Sequence, residues 1–261
     1  MNFESDILLK EFLEEKYHLY NRKNFIESDP VSIPHLFTKK QDIEIAGFLA
    51  ATIAWGNRKS IITNANKLMQ WMDLDPHQFI LHAKPKELEP FRKFVHRTFN
   101  GNDCLFFLRS LQSIYKENES LEVLFLDGIK KDETIKNGIV NFRTAFLKPK
   151  HLTRVEKHIS NPDKNSSAKR LCMYLRWMVR NNKSGVDFGI WKNIQPSQLC
   201  LPLDIHTGNV GRVLGLLKRK QNDWQSVEEI TNVLRKLDPK DPVKYDFALF
   251  GLGVFEKFGK D

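Results

Sequence analysis

Two residue types that can do chemistry stand at helix starts in the second half of the chain. In "CLPLDIHTGNVGRVLGL", Cys200 to Leu216, Asp204 and His206 precede an apolar series whose three-and-four spacing, Val210, Val213, Leu214 and Leu217, marks one face of a helix. The plain structural reading of Asp204 is a cap, its carboxylate accepting an orphan backbone N–H. The chemical reading is that a carboxylate held there stabilises positive charge developing on a substrate or activates an attacking group. Thirty-five residues before Asp204, Lys169 sits in the first turn of "AKRLCMYLRWMVR". Positive charge there meets the positive end of the helix dipole, at a cost of a few tenths of a kcal/mol. Exposed, such a lysine is a phosphate contact or a solvated charge. Crowded by Arg170 and Arg176 and partly buried, it supplies the neutral amine that nucleophilic chemistry requires. His206 serves as a phosphate or substrate contact, or as a packing and hydrogen-bonding residue.

The elements that must position these groups are helices. Around the wheel of the lysine helix, Ala168, Leu171, Cys172, Leu175, Met178 and Val179 form the buried stripe, while Lys169, Met173, Arg176 and Arg180 share another face. Ile7, Leu8, Phe12 and Leu13 make an early amphipathic stripe, residues 43–55 are nearly all apolar and predict a buried helix, and residues 60–72 repeat apolar residues every three or four positions. Short helices broken by "DLDP", "AKPKELEP", "NGND" and "KENES" follow. No segment of useful length alternates with period two, so the fold class is all-α. "HISNPDKNSSAKR" is the clearest internal breaker, joining a helix ending near Ile159 to one beginning near Ala168, with a seam at residues 160–168; "NNKSGVDFG" is another loop.

A length of 261 residues is enough for one large domain or two lobes sharing a cleft. Lys and Arg number 41 against 32 Asp and Glu, a net charge of +9, which points to a polyanionic partner, with nucleic acid the first candidate. The excess concentrates between Lys148 and Lys183, where ten basic residues face only Glu156 and Asp163, so this segment is expected to meet phosphates. Cys104, Cys172 and Cys200 are far apart, and no Cys/His cluster has metal-ligand spacing, so neither disulfide, metal nor cofactor is expected. The acidic N-terminus lacks the pattern of a signal peptide and "IAGFLAATIAW" is too short to span a bilayer; a cytoplasmic protein is expected.

A polar hairpin, a lysine in the first turn of the next helix and then "PLDIH" opening a further helix together resemble the helix-hairpin-helix superfamily of DNA glycosylases, most of all its lysine-bearing 8-oxoguanine glycosylase/lyases, in a bacterial branch whose substrate the resemblance does not fix. Lys169 and the run Pro202, Leu203, Asp204, Ile205, His206 match that family's lysine at the hairpin exit and its aspartate at the following helix start. The separation of these two residues is longer than in the eukaryotic enzymes and more like the archaeal ones, with "NNKSGVDFGIWKNIQPSQ" as the extra loop. "FLAATIAWGNRKSIITNANKLM" is similar to the segment that pushes a side chain into the duplex, and "YDFALFGLGV" to the helix that lines the base pocket. Two departures stand out. Asn165, Ser166 and Ser167 occupy the hairpin where the family has a glycine-rich phosphate-binding turn, and Asp246 stands where a glutamine reads the base.

The resemblance, over residues 43–257, implies two helical lobes flanking a DNA-binding cleft: residues 1–44 with 162–261, and 45–161. It implies catalysis by Lys169 as Schiff-base nucleophile with Asp204 as its carboxylate, and a base pocket of Asp246, Phe250 and Met173. The implied DNA contacts are Trp55, Asn57 and Arg58 at the wedge, Lys164, Asn165, Ser166, Ser167 and Arg170 at the hairpin, and Arg176, Arg180 and His206. Ionised, Asp246 accepts from the two adjacent donors of a guanine-type edge, favouring oxidised purines such as 8-oxoguanine; on the surface it is one half of an ion pair. The implied partner is double-stranded DNA with a damaged base, bound by a monomer in the nucleoid. Two other readings remain: a non-catalytic nucleic-acid-binding helical protein, and a monofunctional glycosylase in which Asp204 activates water. The first does not need Lys169 and Asp204 to meet in space.

Overall fold

The computed structural model describes residues 5–132, 134–181 and 183–258. Among these, twelve α-helices run in chain order: α1 (Asp6–Tyr20), α2 (Asn24–Glu27), α3 (Lys40–Thr52), α4 (Arg58–Trp71), α5 (Pro76–His82), α6 (Gly101–Glu117), α7 (Glu122–Asp132), α8 (Ile135–Phe146), α9 (Lys169–Val179), α10 (Ile205–Val213), α11 (Trp224–Leu237) and α12 (Asp246–Val254). The described strands are the two-residue pair β1 (Val95–His96) and β2 (Phe99–Asn100), antiparallel across a tight turn. No described helix is long and apolar enough to cross a membrane.

The chain divides into two compact units, Ile26–Ser160 and Met1–Phe25 with Asn161–Asp261. Residues 26–44 therefore belong with the central unit rather than with the terminal lobe expected to hold them. The reason lies in α3: a boundary after residue 44 would cut a helix whose residues from Asp42 to Thr52 are all buried.

In the central unit the core is aromatic. Phe48 of α3 stacks on Phe107 of α6 at 5.8 Å and meets Phe142 and Phe146 of α8 edge-on, while Phe125 of α7 stacks on Phe142 at 4.4 Å. Beside these rings lies Glu44, fully buried, accepting from the Tyr115 hydroxyl (2.7 Å), the Ser120 hydroxyl (2.5 Å) and the Leu121 amide (3.1 Å). Three donors satisfy one carboxylate and tie α3 to the end of α6 and the turn before α7. The helix expected to end near Ile159 is instead a 3-10 segment, Thr153–His158, followed in the terminal unit by a second short turn, Pro162–Lys164. Pro149 and Pro162 bracket the first segment, and neither can donate the amide an α-helix needs.

In the terminal unit α12 packs against both α1 and α10. Its close approach to α1 depends on Gly251, where an added Cβ would lie 2.0 Å from the Tyr20 ring.

Replacing Glu44 with Leu leaves the Tyr115, Ser120 and Leu121 donors without their acceptor, and should destabilise the central unit by on the order of 3 kcal/mol. Glu44→Gln, which keeps an acceptor, should cost clearly less. Guanidinium unfolding of the two variants reads the difference.

Candidate functional site

Helix α9 carries the site, and its sequence dictates how it is held. Leu171, Cys172, Tyr174, Leu175, Trp177, Met178 and Val179 are all buried, so water reaches it chiefly near its start. Lys169, Arg170 and Met173 are half-buried. The helix begins from Ala168 in the left-handed region, φ 47°, whose amide is bonded to the Ser166 hydroxyl. Asn165 is left-handed as well, φ 60°.

Lys169 points at the start of α10. Its Nζ lies 3.2 Å from Asp204 Oδ2, with 31% and 17% of the two side chains exposed. The two oxygens of Asp204 have separate tasks. Oδ1 accepts the Thr207 amide at 2.9 Å, while the Thr207 hydroxyl accepts the Asp204 amide at 2.8 Å, closing a capping box. Oδ2 meets the lysine. Burial raises the Asp204 pKa, but the Lys169 charge, the Thr207 amide and the His206 charge outweigh it, so the carboxyl is held below its ordinary value. Capping and ion pairing thus coexist on one residue. His206, half-buried, lies close under Gly253 of α12.

Arg176 and Arg180 are not surface contacts. Both are buried, at 4% and 1% exposure, because carboxylates from distant segments meet them. Arg176 Nη1 donates to Asp246 Oδ2 and its Nε to Asp187 Oδ1 at 3.3 Å. Arg180 Nη1 donates to Asp187 Oδ2 at 2.5 Å, and its Nε and Nη2 each reach Asp241 at 2.8 Å as a fork. The Arg176 guanidinium also lies 4.3 Å over the Phe247 ring. A guanidinium so enclosed cannot reach a phosphate, and the expectation that these two track a nucleic-acid backbone is corrected.

Asp246, also expected as an ionised acceptor or as a surface partner of Lys244, Lys257 or another base, pairs with a base, Arg176, but in the interior. It is buried against Arg176, and its pKa is pushed up to about 6 by burial, against the Arg176 charge and with help from Asp204. Lys244, one candidate surface partner, pairs with Glu14 and Asp238 instead. Phe250, one turn after Asp246, is half-buried and meets Phe25 edge-on at 6.1 Å. Burial lowers the Arg170 pKa to about 10.

The hairpin is latched to α11. Asp223, the α11 cap, accepts the Asn165 side-chain Nδ2 at 3.0 Å and the Ser226 backbone amide at 3.1 Å, and also accepts from Arg219 Nε and Nη2. The Asn165 side chain, expected to face a phosphate, is committed to this carboxylate. Lys164 is exposed, and Ser166 and Ser167 are half-buried.

Trp55, Asn57 and Arg58 belong to the central unit. Trp55 leaves the buried α3 and is itself half-buried, its ring edge-on to His96 at 5.1 Å and stacked on His158 at 6.0 Å, with the His96 ring nitrogen 3.1 Å from the Trp55 carbonyl. Gly56 then turns the chain with φ +98°. Asn57 is spent as the α4 cap, accepting the Ser60 amide at 3.1 Å, and Arg58 is half-buried.

Sequence reasoning missed Asp187, Asp241 and Asp223. The signal for the first two was present: two arginines one turn apart on a helix that is apolar on its remaining faces demand carboxylates from elsewhere. Asp187→Ala removes the group shared by both guanidiniums and should cost about 3–5 kcal/mol, read from the denaturant midpoint. The Asp241 fork alone should not rescue it.

A family model described as a protein of unknown function, DUF2400, matches residues 29–255, a span that contains Lys169, Asp204, Asp187 and Asp246. No curated protein and no solved structure matches the chain. Because that family match runs through both compact units, the chain belongs to the DUF2400 family.

Proposed function

We propose that this protein is a DNA glycosylase with abasic-site lyase activity, removing an oxidised purine, 8-oxoguanine in preference, through a lysine Schiff base. The observation that carries the reading is the 3.2 Å approach of a partly exposed lysine amine to a carboxylate held ionised at a helix start. A non-catalytic binding protein gives no reason for those two groups to meet across 35 residues of sequence.

In this reading Lys169 attacks the anomeric carbon once its ammonium has lost a proton, and Asp204 offsets the positive charge that builds on the sugar as the glycosidic bond breaks. The Schiff base that follows permits strand cleavage by β-elimination. Asp204 Oδ1 remains engaged by the Thr207 amide throughout, so Oδ2 is presented in a fixed direction. Phosphate contact falls to exposed cations such as Lys148, Lys150, Lys157, Lys164 and Lys183, with Arg176 and Arg180 excluded. Met173 and Phe250, half-buried one turn beyond Lys169 and Asp246, are the apolar groups available to a flipped base.

Incubation with borohydride and duplexes carrying either 8-oxoguanine or an abasic site tests this. The wild-type protein should be trapped covalently. Lys169→Gln should abolish trapping while leaving duplex affinity within a few-fold, since one of many cations is lost; trapping that survives this change removes the lysine from the mechanism. Asp204→Asn, with a side chain that also caps helices, should keep the fold and slow excision by on the order of a hundredfold. Excision without trapping in the wild type would favour a water nucleophile instead.

A further inference from the structure

Four acids and three bases crowd one face of α9, and their count does not balance. Lys169, Arg176 and Arg180 face Asp204, Asp246, Asp187 and Asp241. With every group ionised the cluster carries one net negative charge, and while Asp204 and Asp241 keep 17% and 27% of their side chains in water, Asp246 keeps 7%. Three of the acids have strong fixed partners: Asp187 bridges two guanidiniums, Asp241 receives a fork, and Asp204 holds Lys169 and a backbone amide. Asp246 has the weakest claim. It shares Arg176 with Asp187, and only its Oδ2 is bonded; Oδ1 makes no hydrogen bond among the described residues, while the side chain retains 7% exposure. The excess charge is most easily removed by a proton on that oxygen.

We propose that Asp246 is a second catalytic carboxyl, the general acid that protonates the departing base, and that the site therefore selects bases that leave only when they take up a proton. This rests on the glycosylase reading and replaces the idea of Asp246 as an ionised acceptor. Asp204 and Asp246 come from two helix starts, the α10 cap and the first residue of α12, to the face of α9 that carries Lys169 and Arg176. Asp246 is close enough to feel the charges of both Lys169 and Asp204. Environment separates the two carboxyls, lowering one and raising the other to about 6, which is the arrangement that assigns a stabilising carboxylate and a proton donor. The charged groups that act on Asp246 are Arg176, Asp204 and Lys169. Cys172, whose thiol feels the Asp246 charge, does not compete as a donor, because burial raises its pKa well above the ordinary value.

The step balances. The Lys169 amine lone pair forms the bond to the anomeric carbon, the glycosidic pair leaves with the base, and the Asp246 carboxyl proton goes to a ring nitrogen of that base. The new secondary ammonium on Lys169 then loses one proton to water past Asp204, whose Oδ2 lies against it, and the Asp246 carboxylate takes one proton back from water.

The test compares two single-turnover rates on the full-length protein between about pH 5 and pH 8: excision from a duplex with one 8-oxoguanine, hypoxanthine or uracil, and borohydride trapping at a pre-formed abasic site, which has no base to expel. Both need neutral Lys169, so their ratio cancels it. The expected ratio for a purine falls as pH rises through about 6, approaching tenfold per unit, because the acid form is lost. A ratio that rises, as an ionised acceptor requires, or stays flat overturns the proposal. Asp246→Asn should lower purine excision by on the order of a hundredfold and leave abasic trapping within a few-fold; equal losses on both substrates overturn the assignment, unless Asp246→Glu, which keeps an acid, restores both together with the falling ratio. Purine excision with a flat or rising ratio overturns this inference alone, whereas trapping at the abasic site with no base excised overturns the glycosylase reading and this inference together. No trapping at all overturns the lysine reading and this inference with it.

Discussion

Two guanidinium groups can be carried into a protein interior only if carboxylates arrive with them, and much of the terminal unit is arranged around that requirement. Arg176 and Arg180 lie one turn apart on α9, and the acids that meet them come from the loop after the helix, from the turn before α12 and from α12 itself. Leaving one such charge unpaired would cost about 3–5 kcal/mol, a large share of the margin by which most domains are stable. The ion network therefore fixes the orientation of α9 about its own axis. Lys169, two turns upstream of Arg176 on the same face, is aimed at the start of α10 as a consequence.

The start of α10 shows how a helix cap and an ion pair can share one residue without conflict. A capping aspartate needs one oxygen for the helix, and Asp204 uses Oδ1 for Thr207. The second oxygen would ordinarily face solvent; here it faces an amine. The capping box makes that orientation inexpensive, because the side chain is already ordered by the helix it caps.

The helical character of the chain was legible because it depends on local periodicity, and the buried run before Trp55 and the helix from residue 58 follow directly from it. The 3-10 segment before the hairpin was not, since the apolar spacing there suits an α-helix and only the flanking prolines argue otherwise. Lys169 and Asp204 were marked by residue type at two helix starts. The wheel also placed Arg176 and Arg180 with Lys169, but a wheel reports direction and not depth, so a polar face was read as a wet one. Asp187 was hidden for a related reason: it sits in a stretch with the composition of a surface loop, and only its partners reveal that the stretch runs through the interior, with the amides of Phe188 and Trp191 bonded to the carbonyls of Trp177 and Met178 at the end of α9.

The way the chain is divided between its two units has a consequence for synthesis on the ribosome. Residues 26–160 form one contiguous unit and can fold as soon as they emerge. The other unit joins the first 25 residues to the last hundred, so α1 must wait, unpartnered, until α12 has been made. Arg176 and Arg180 emerge long before Asp241 and Asp246, and they stay hydrated in the interval because their burial is favourable only with those partners. A nascent or truncated chain that stops short of α12 thus carries the lysine and its aspartate without the floor that orients them. The lysine and its aspartate are fixed in place only late in folding, once α12 has joined them.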